Sequence, residues 1–250
     1  MFKAKAHQLN ANNCKKKVNS WHKSCIILSV ELLFFQKGEE MNKINRIALI
    51  AILGLGAFSI SAAEIESNFA LSNDYIWRGM TQTDEGFAYS GGVDVTAENG
   101  AYAGIWGSKV DFGAGDDANM EIDAYFGYTD ESARGVTFDV GYMSYNYPGE
   151  ADLDFEEIYV GVGYKWVGVT FSEGLDKAPD NVEWSVSLAD SGIGITYGDY
   201  DGVGKYTLVS YDFAQQIANR VSIGIGLSDF DSDDDSGPGH EDGFVITFSM

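Results

Sequence analysis

From residue 64 to the C-terminus, apolar and polar residues alternate with a period of two in segment after segment. No apolar run in this region is long enough to cross a membrane as a helix. Met120, Ile122, Ala124 and Phe126 share one face, and Glu121, Asp123 and Tyr125 share the other. Val136, Phe138, Val140 and Tyr142 likewise oppose Thr137, Asp139 and Gly141. The pattern returns with Ile158, Val160, Val162 and Tyr164, with Val182, Trp184, Val186 and Leu188, and with Val221, Ile223, Ile225 and Leu227. Successive side chains of a strand point to opposite faces, so this spacing predicts β-strands with one apolar face. The other face is rich in Gly, Ser, Thr and acids, which suits water better than a second packed layer. Such a sheet has two homes. It packs against another sheet in a soluble sandwich, or it faces lipid around a wet lumen.

The connections favour the second home. About twelve strands are expected, near 65–78, 86–97, 101–112, 119–129, 135–146, 154–165, 168–173, 181–189, 193–198, 204–213, 220–229 and 243–250. Asn99-Gly100, Asp130 to Arg134, and Asp190 to Gly192 are short turns after even-numbered strands. Longer polar pieces follow odd-numbered ones: GAGDDAN, PGEADLD, EGLDKAPDN and DSDDDSGPGHEDG. An up-and-down barrel with both ends in the periplasm has short turns on that side and long loops outside. Greek-key links in a sandwich have no reason to sort this way. The least marked turn lies at Lys165 to Gly168, and losing it would spoil the even strand count. At the C-terminus Phe244, Ile246, Phe248 and Met250 share one face, resembling the terminal strand signal of outer-membrane barrels, although Met250 replaces the usual final aromatic residue. Tyr75, Trp77, Trp106, Tyr164, Trp166 and Trp184 fall where interfacial aromatic girdles would sit.

An export signal precedes the strands. Lys43 and Arg46 lead into an apolar run from Ile47 to Phe58, and Ser61 and Ala63 are the small residues before a cleavage point, making Glu64 the first mature residue. Residues 1–40 read as an extension upstream of the true start at Met41, with a longer targeting segment as the alternative. The expected organisation is therefore 1–40 extension, 41–63 signal peptide, and 64–250 a single all-β, antiparallel, up-and-down transmembrane barrel. Both cysteines, Cys14 and Cys25, lie outside the barrel region, which leaves no disulfide framework there.

Charge narrows the partners. The chain carries 38 acids and 16 Lys or Arg, a formal net charge of -22. Nine of the bases and three of the acids precede Glu64, so 35 acids and 7 bases remain in the barrel region. Binding nucleic acid needs a basic surface to neutralise phosphates, and this distribution argues against it. Cations and small solutes are the expected mobile partners, with outer-membrane lipid, lipopolysaccharide and the barrel-assembly machinery around the barrel itself.

Two stretches, SNDYIWRGMTQTD at 72–84 and GGVDVTAENGAYAGIWGSKVDF at 91–112, resemble the bacterial TorF family of proposed porins. The shared elements are an Asp-Tyr-x-x-Arg-Gly motif, a Thr-Gln-x-Asp turn, a Gly-Gly strand and a Tyr-x-Gly-x-Trp strand. The likeness continues through SYNYPG (144–149) and EEIYVGVGYKW (156–166). It implies an outer-membrane barrel of porin type.

No catalytic centre is legible. His240 is the only histidine after the signal, and no Gly-x-Ser-x-Gly motif accompanies it. No cofactor is expected. Asp231, Asp233 and Asp235 have the spacing of the first half of a calcium loop, but Ser236 and Asp242 stand where Gly and Glu are needed. They are weak metal candidates, with a solvated acidic loop as the default. The candidate pore-lining residues are Asp94, Glu121, Asp123, Asp139, Glu157 and Glu183, with Asp74 and Arg78 at the rim or constriction, at the end of the first strand and on one face. Lys109 and Lys165 face the same water. The expected function is a channel for passive diffusion of small solutes, with a preference for cations. The alternatives are a non-conducting barrel with an adhesive or structural role, and a secreted soluble β-sandwich.

Overall fold

Each of the twelve alternating segments forms a strand, and the strands close on one another. The computed structural model describes residues 63–113, 117–175, 178–188, 191–214, 216–217, 220–233 and 240–250, all within one compact unit, Ala57–Met250. The expected extension and all but the last residue of the expected signal lie outside the described residues. The barrel strands are β1 (Ala63–Ser72), β4 (Ala88–Ala97), β5 (Ala101–Lys109), β6 (Met120–Glu131), β7 (Val136–Asn146), β8 (Phe155–Tyr164), β9 (Val167–Leu175), β10 (Asn181–Leu188), β11 (Ile193–Tyr200), β12 (Gly204–Asp212), β13 (Ser222–Ser232) and β14 (His240–Ser249). Two short strands, β2 (Ile76–Trp77) and β3 (Met80–Thr81), form a separate hairpin. Every barrel strand pairs antiparallel with its sequence neighbour, and β1 pairs with β14 to close the circle. The turn at Lys165 exists, with Lys165 itself at φ 58°.

The side chains of the expected apolar stripe point away from the lumen and stay uncovered. Val160 is 51 % exposed, Trp184 56 % and Leu227 59 %. A sandwich would bury this stripe, so the soluble-sandwich alternative is set aside: the sheet closes and the apolar face is outside. At the turn end Tyr128, Tyr164, Trp166, Tyr211 and Phe213 are all exposed. Tyr75, Trp77 and Trp106 are not girdle residues. The first two lie in the loop after β1, and Trp106 stacks edge-on against Tyr75 at 5.5 Å.

Inside, four tyrosines each lie across a glycine on the neighbouring strand, in register: Tyr125 over Gly104, Tyr102 over Gly127, Tyr159 over Gly141 and Tyr206 over Gly198. A Cβ at any of these glycines would overlap the ring. The glycines weaken the strands locally by their lost packing, and the rings restore that contact while covering the backbone.

The first strand is shorter than expected. It ends at Ser72 rather than running on to residue 78, so Asp74 and Arg78 do not share a strand face. The reason lies at the seam, where only Ala70, Leu71 and Ser72 pair in register with β14, extended by mutual hydrogen bonds of 3.0 Å between Phe69 and Met250. Beyond Ser72 the Asn73 side chain takes over from the backbone. Its Nδ2 donates to the Phe244 carbonyl at 2.8 Å, and its Oδ1 accepts from the Ile246 amide at 2.6 Å. One side chain thus continues the ladder along β14 and frees the main chain to turn inward. Replacing Asn73 by Ala removes both bonds, at about 1 kcal/mol each. The refolded variant is expected to lose its heat-resistant gel mobility at a lower temperature than the parent.

Candidate functional site

Of the 15 residues between β1 and β4, 73–87, the run 74–83 folds into the lumen instead of standing outside it, while Asp84, Glu85 and Phe87 are exposed. Their shape comes from three polar side chains. Asp74 Oδ1 accepts hydrogen bonds from Thr81 Oγ1 and Thr83 Oγ1, both at 2.7 Å, and Thr83 Oγ1 accepts from the Tyr75 amide at 3.0 Å. The loop is thereby drawn into a lasso with the β2–β3 hairpin at its tip. Arg78 and Gly79 are the two central residues of that hairpin, at φ 48° and 85°. Both being positive is what a type I′ turn requires, and Gly there carries no penalty. Gly79 is also the only residue that fits, since a Cβ would come within 2.5 Å of Tyr206 Cβ and 3.1 Å of Phe230 Cβ.

Arg78 occupies a left-handed conformation that costs a non-glycine residue about 1–2 kcal/mol. Its side chain accounts for that. Nη1 and Nη2 donate to the two carboxylate oxygens of Glu157 on β8, both at 2.7 Å, and the pair is almost fully buried. The guanidinium also lies over the rings of Trp77 at 4.3 Å and Tyr200 at 4.7 Å. Burial pulls the Arg78 pKa down, but the hydrogen bonds and charge of Glu157 outweigh it and hold the group charged. Trp77 packs edge-on against Tyr145 and Tyr200, each at 5.7 Å, and against Phe155 at 5.9 Å. It therefore joins two buried clusters on opposite walls, one of Val110, Ala118, Tyr145 and Tyr147, the other of Tyr200, Tyr206 and Phe230.

The remaining acids expected in the lumen all lie on inward faces, most with a tyrosine partner. Tyr125 donates to Asp94. Tyr102 donates to Asp139 at 2.6 Å and contacts the Tyr159 hydroxyl. Tyr206 donates to Glu183 at 2.9 Å. Glu121 and Asp123 are buried side by side under the loop, and Tyr75 donates to Glu121 at 3.5 Å. Lys109 points to Asp111 at 3.7 Å instead of into this group, and Lys165 lies against the ring of Tyr164. Open space survives on either side of the loop. A cavity of about 570 Å³ at the turn end is bordered by Thr137, Ser185 and Ser187, with Arg134 and Lys165 at its edge. A second, of about 280 Å³, lies between the loop and the seam, against Ser72, Asp74, Tyr75, Ser228 and Thr247.

Trp77, Tyr145, Phe155 and Tyr200, which hold the loop, carried no functional signal in the sequence. Tyr145 and Tyr200 do stand at polar-face positions of their strands, which was the available hint. Of the three calcium-spaced acids, two lie among the described residues. Asp231 is inside β13, because the β13–β14 hairpin extends upward as far as Ser232 and His240, and Asp233 approaches Lys205 at 3.7 Å. Asp235 lies outside the described residues. The same hairpin brings together Asp229, His240 and Asp242, with His240 Nε2 3.9 Å from Asp229 and 3.6 Å from Asp242, all exposed.

Breaking a buried ion pair by removing one partner costs about 3–5 kcal/mol. Glu157→Ala is therefore expected to unseat the loop while leaving the barrel ladder in place. Limited proteolysis should then cut within 74–86 of the variant and spare the parent. Gly79→Ala should act the same way through overlap with Tyr206.

No curated protein matches the chain. Among solved structures it is similar to a doubly substituted OccD1 (OprD), at 14 % identity over 76 % of this chain and 65 % of that one, with a TM-score of 0.36. It is also similar to Pseudomonas aeruginosa OccK2 (OpdF) in complex with glucuronate, at 12 % identity over 77 % of this chain and 68 % of that one, with a TM-score of 0.32. The chain thus spans about two thirds of the length of those proteins. The profile of a family described as "Bacterial protein of unknown function (Gcw_chp)" matches residues 57–215, and the chain belongs to that family.

Proposed function

We propose that the protein is a porin-like channel of the bacterial outer membrane, passing small solutes by diffusion with a preference for cations, and that the first loop sets its constriction. The observation that carries this is the division of the barrel into an exposed apolar outside and a polar inside, with the Arg78–Glu157 pair holding residues 73–87 across the lumen. A closed barrel pairs backbone groups strand to strand within the sheet, which is what a lipid environment demands. Asp94, Asp139 and Glu183 have tyrosine hydroxyls rather than bases as partners, so on this reading the lumen field is negative and raises the local cation concentration. The residues before Glu64 are read as an export signal, and lipid, lipopolysaccharide and the assembly machinery as the partners this location supplies. On the Asp-Tyr-x-x-Arg-Gly resemblance we also propose kinship with the TorF family.

Packing of Trp77 against three rings favours a second reading, a barrel closed at rest. Liposome swelling separates the two. Vesicles containing the refolded protein should admit a small sugar, and admit it faster with Arg78→Ala. If neither protein passes solute, the barrel is a non-conducting one. Reversing Asp94 and Asp139 should lower cation preference in planar bilayers, read as a smaller reversal potential in a salt gradient.

The lipid environment has its own test. Val160 lies midway along β8 and points outward. Val160→Arg should destabilise the barrel by about 2–4 kcal/mol in bilayers if this position sits at mid-depth. An ordinary water-exposed site would change by less than about 0.5 kcal/mol.

A further inference from the structure

Glu121 and Asp123 stand two residues apart on the lumen face of β6, 1 % and 6 % exposed. Asp123 stands opposite Trp106 and Glu121 opposite Ser108 on β5. Tyr75 of the first loop covers them, donating to Glu121 Oε1 at 3.5 Å, and packs against the buried cluster that includes Tyr147. One oxygen of each acid, Glu121 Oε2 and Asp123 Oδ1, is buried without a hydrogen-bond partner among the described residues. No described Lys, Arg or His forms an ion pair with either, and Arg78 is engaged at two points by Glu157.

Two adjacent carboxylates removed from water cannot both stay ionised without a counter-charge. A single shared proton leaves the pair with one net negative charge in a low-dielectric surrounding. A divalent cation neutralises both charges and gives each unpartnered oxygen a cation to coordinate. The donors are all oxygens, which hard cations of the calcium and magnesium class prefer and softer metals do not. We propose that Glu121, Asp123 and the Tyr75 hydroxyl form a binding site for a hard divalent cation within the barrel, beneath the first loop. The site deepens the reading of a cation-preferring lumen, yet binding at it does not require conduction.

Terbium, an oxygen-seeking substitute for calcium whose emission is sensitised by adjacent tyrosine or tryptophan, reports such a site directly. Titrated into the refolded full-length protein in detergent, it should give saturable emission on excitation of Tyr75, Tyr147 or Trp106, displaced by excess calcium. Glu121→Gln combined with Asp123→Asn should weaken terbium binding at least tenfold. Asp229→Asn with Asp242→Asn, which disarms the exposed group on the outer face, should leave the emission unchanged. Heat-modifiable mobility establishes that each variant is a folded barrel, and Asp123→Asn alone serves where the pair fails that check. Absence of saturable emission from the parent overturns the proposal, as does emission that survives loss of the two lumen carboxylates or follows the outer group instead. Swelling assays on the same preparations keep the channel reading separate. A conducting barrel that binds no terbium loses only the site, and a silent barrel that binds it loses only the channel.

Discussion

Closure of the hydrogen-bonded ladder governs everything else in this barrel. Twelve strands pair in a ring that closes through the short seam at Ala70–Ser72, and a ring of alternating residues must put one set of side chains outside and the other inside. Because the apolar set is outside, the interior collects Asp94, Glu121, Asp123, Asp139, Glu157 and Glu183. Their desolvation then dictates the inner architecture. Tyr125, Tyr102 and Tyr206 serve Asp94, Asp139 and Glu183, as Tyr75 of the loop serves Glu121, and each of the first three tyrosines needs a side-chain-free patch of neighbouring strand on which to lie. The glycines at 104, 127 and 198 supply it. Composition, register and lumen chemistry are therefore one problem with one solution.

Glu157 is solved differently, and that difference makes the loop. Its partner is Arg78, 79 residues earlier in the chain, delivered by a hairpin whose tip fits only because residue 79 has no side chain. The ion pair alone is weak support, since burying two charges costs nearly what their attraction returns. Trp77 adds the apolar contacts that make the seated position favourable, bridging buried clusters on two walls. Asn73 links this arrangement to closure, because its side chain continues the seam while the backbone departs from it.

Strand number, order and facing were readable from the sequence because they depend on period two and on turn chemistry, both local. Lys165, the weakest turn signal, adopts the left-handed conformation that a two-residue connection needs. The alternation of short and long connections was legible but incomplete. The link after β11 is only Asp201 to Val203, while residues 213–221 make a longer link on the turn side. What depends on distant partners was hidden. The Tyr75 and Trp77 pair reads as an interfacial girdle from its spacing, and only the ring closed around it shows that the rings point inward. Asp74 and Arg78 were identified as a pair, yet Asp74 serves Thr81 and Thr83 and Arg78 serves Glu157, because β1 stops at Ser72. Asp231 reads as part of an acidic loop, yet the hairpin register pairs it with His240 inside β13.

On the proposed reading the loop at 73–87, and not the barrel wall, sets the passage through this lumen. Single-channel recording in planar bilayers tests it most directly, comparing the parent with a variant in which residues 75–82 are replaced by a short Gly-Ser link. The variant should show a several-fold larger conductance at equal barrel stability. Equal conductance in the two proteins, or silence from both, would contradict it.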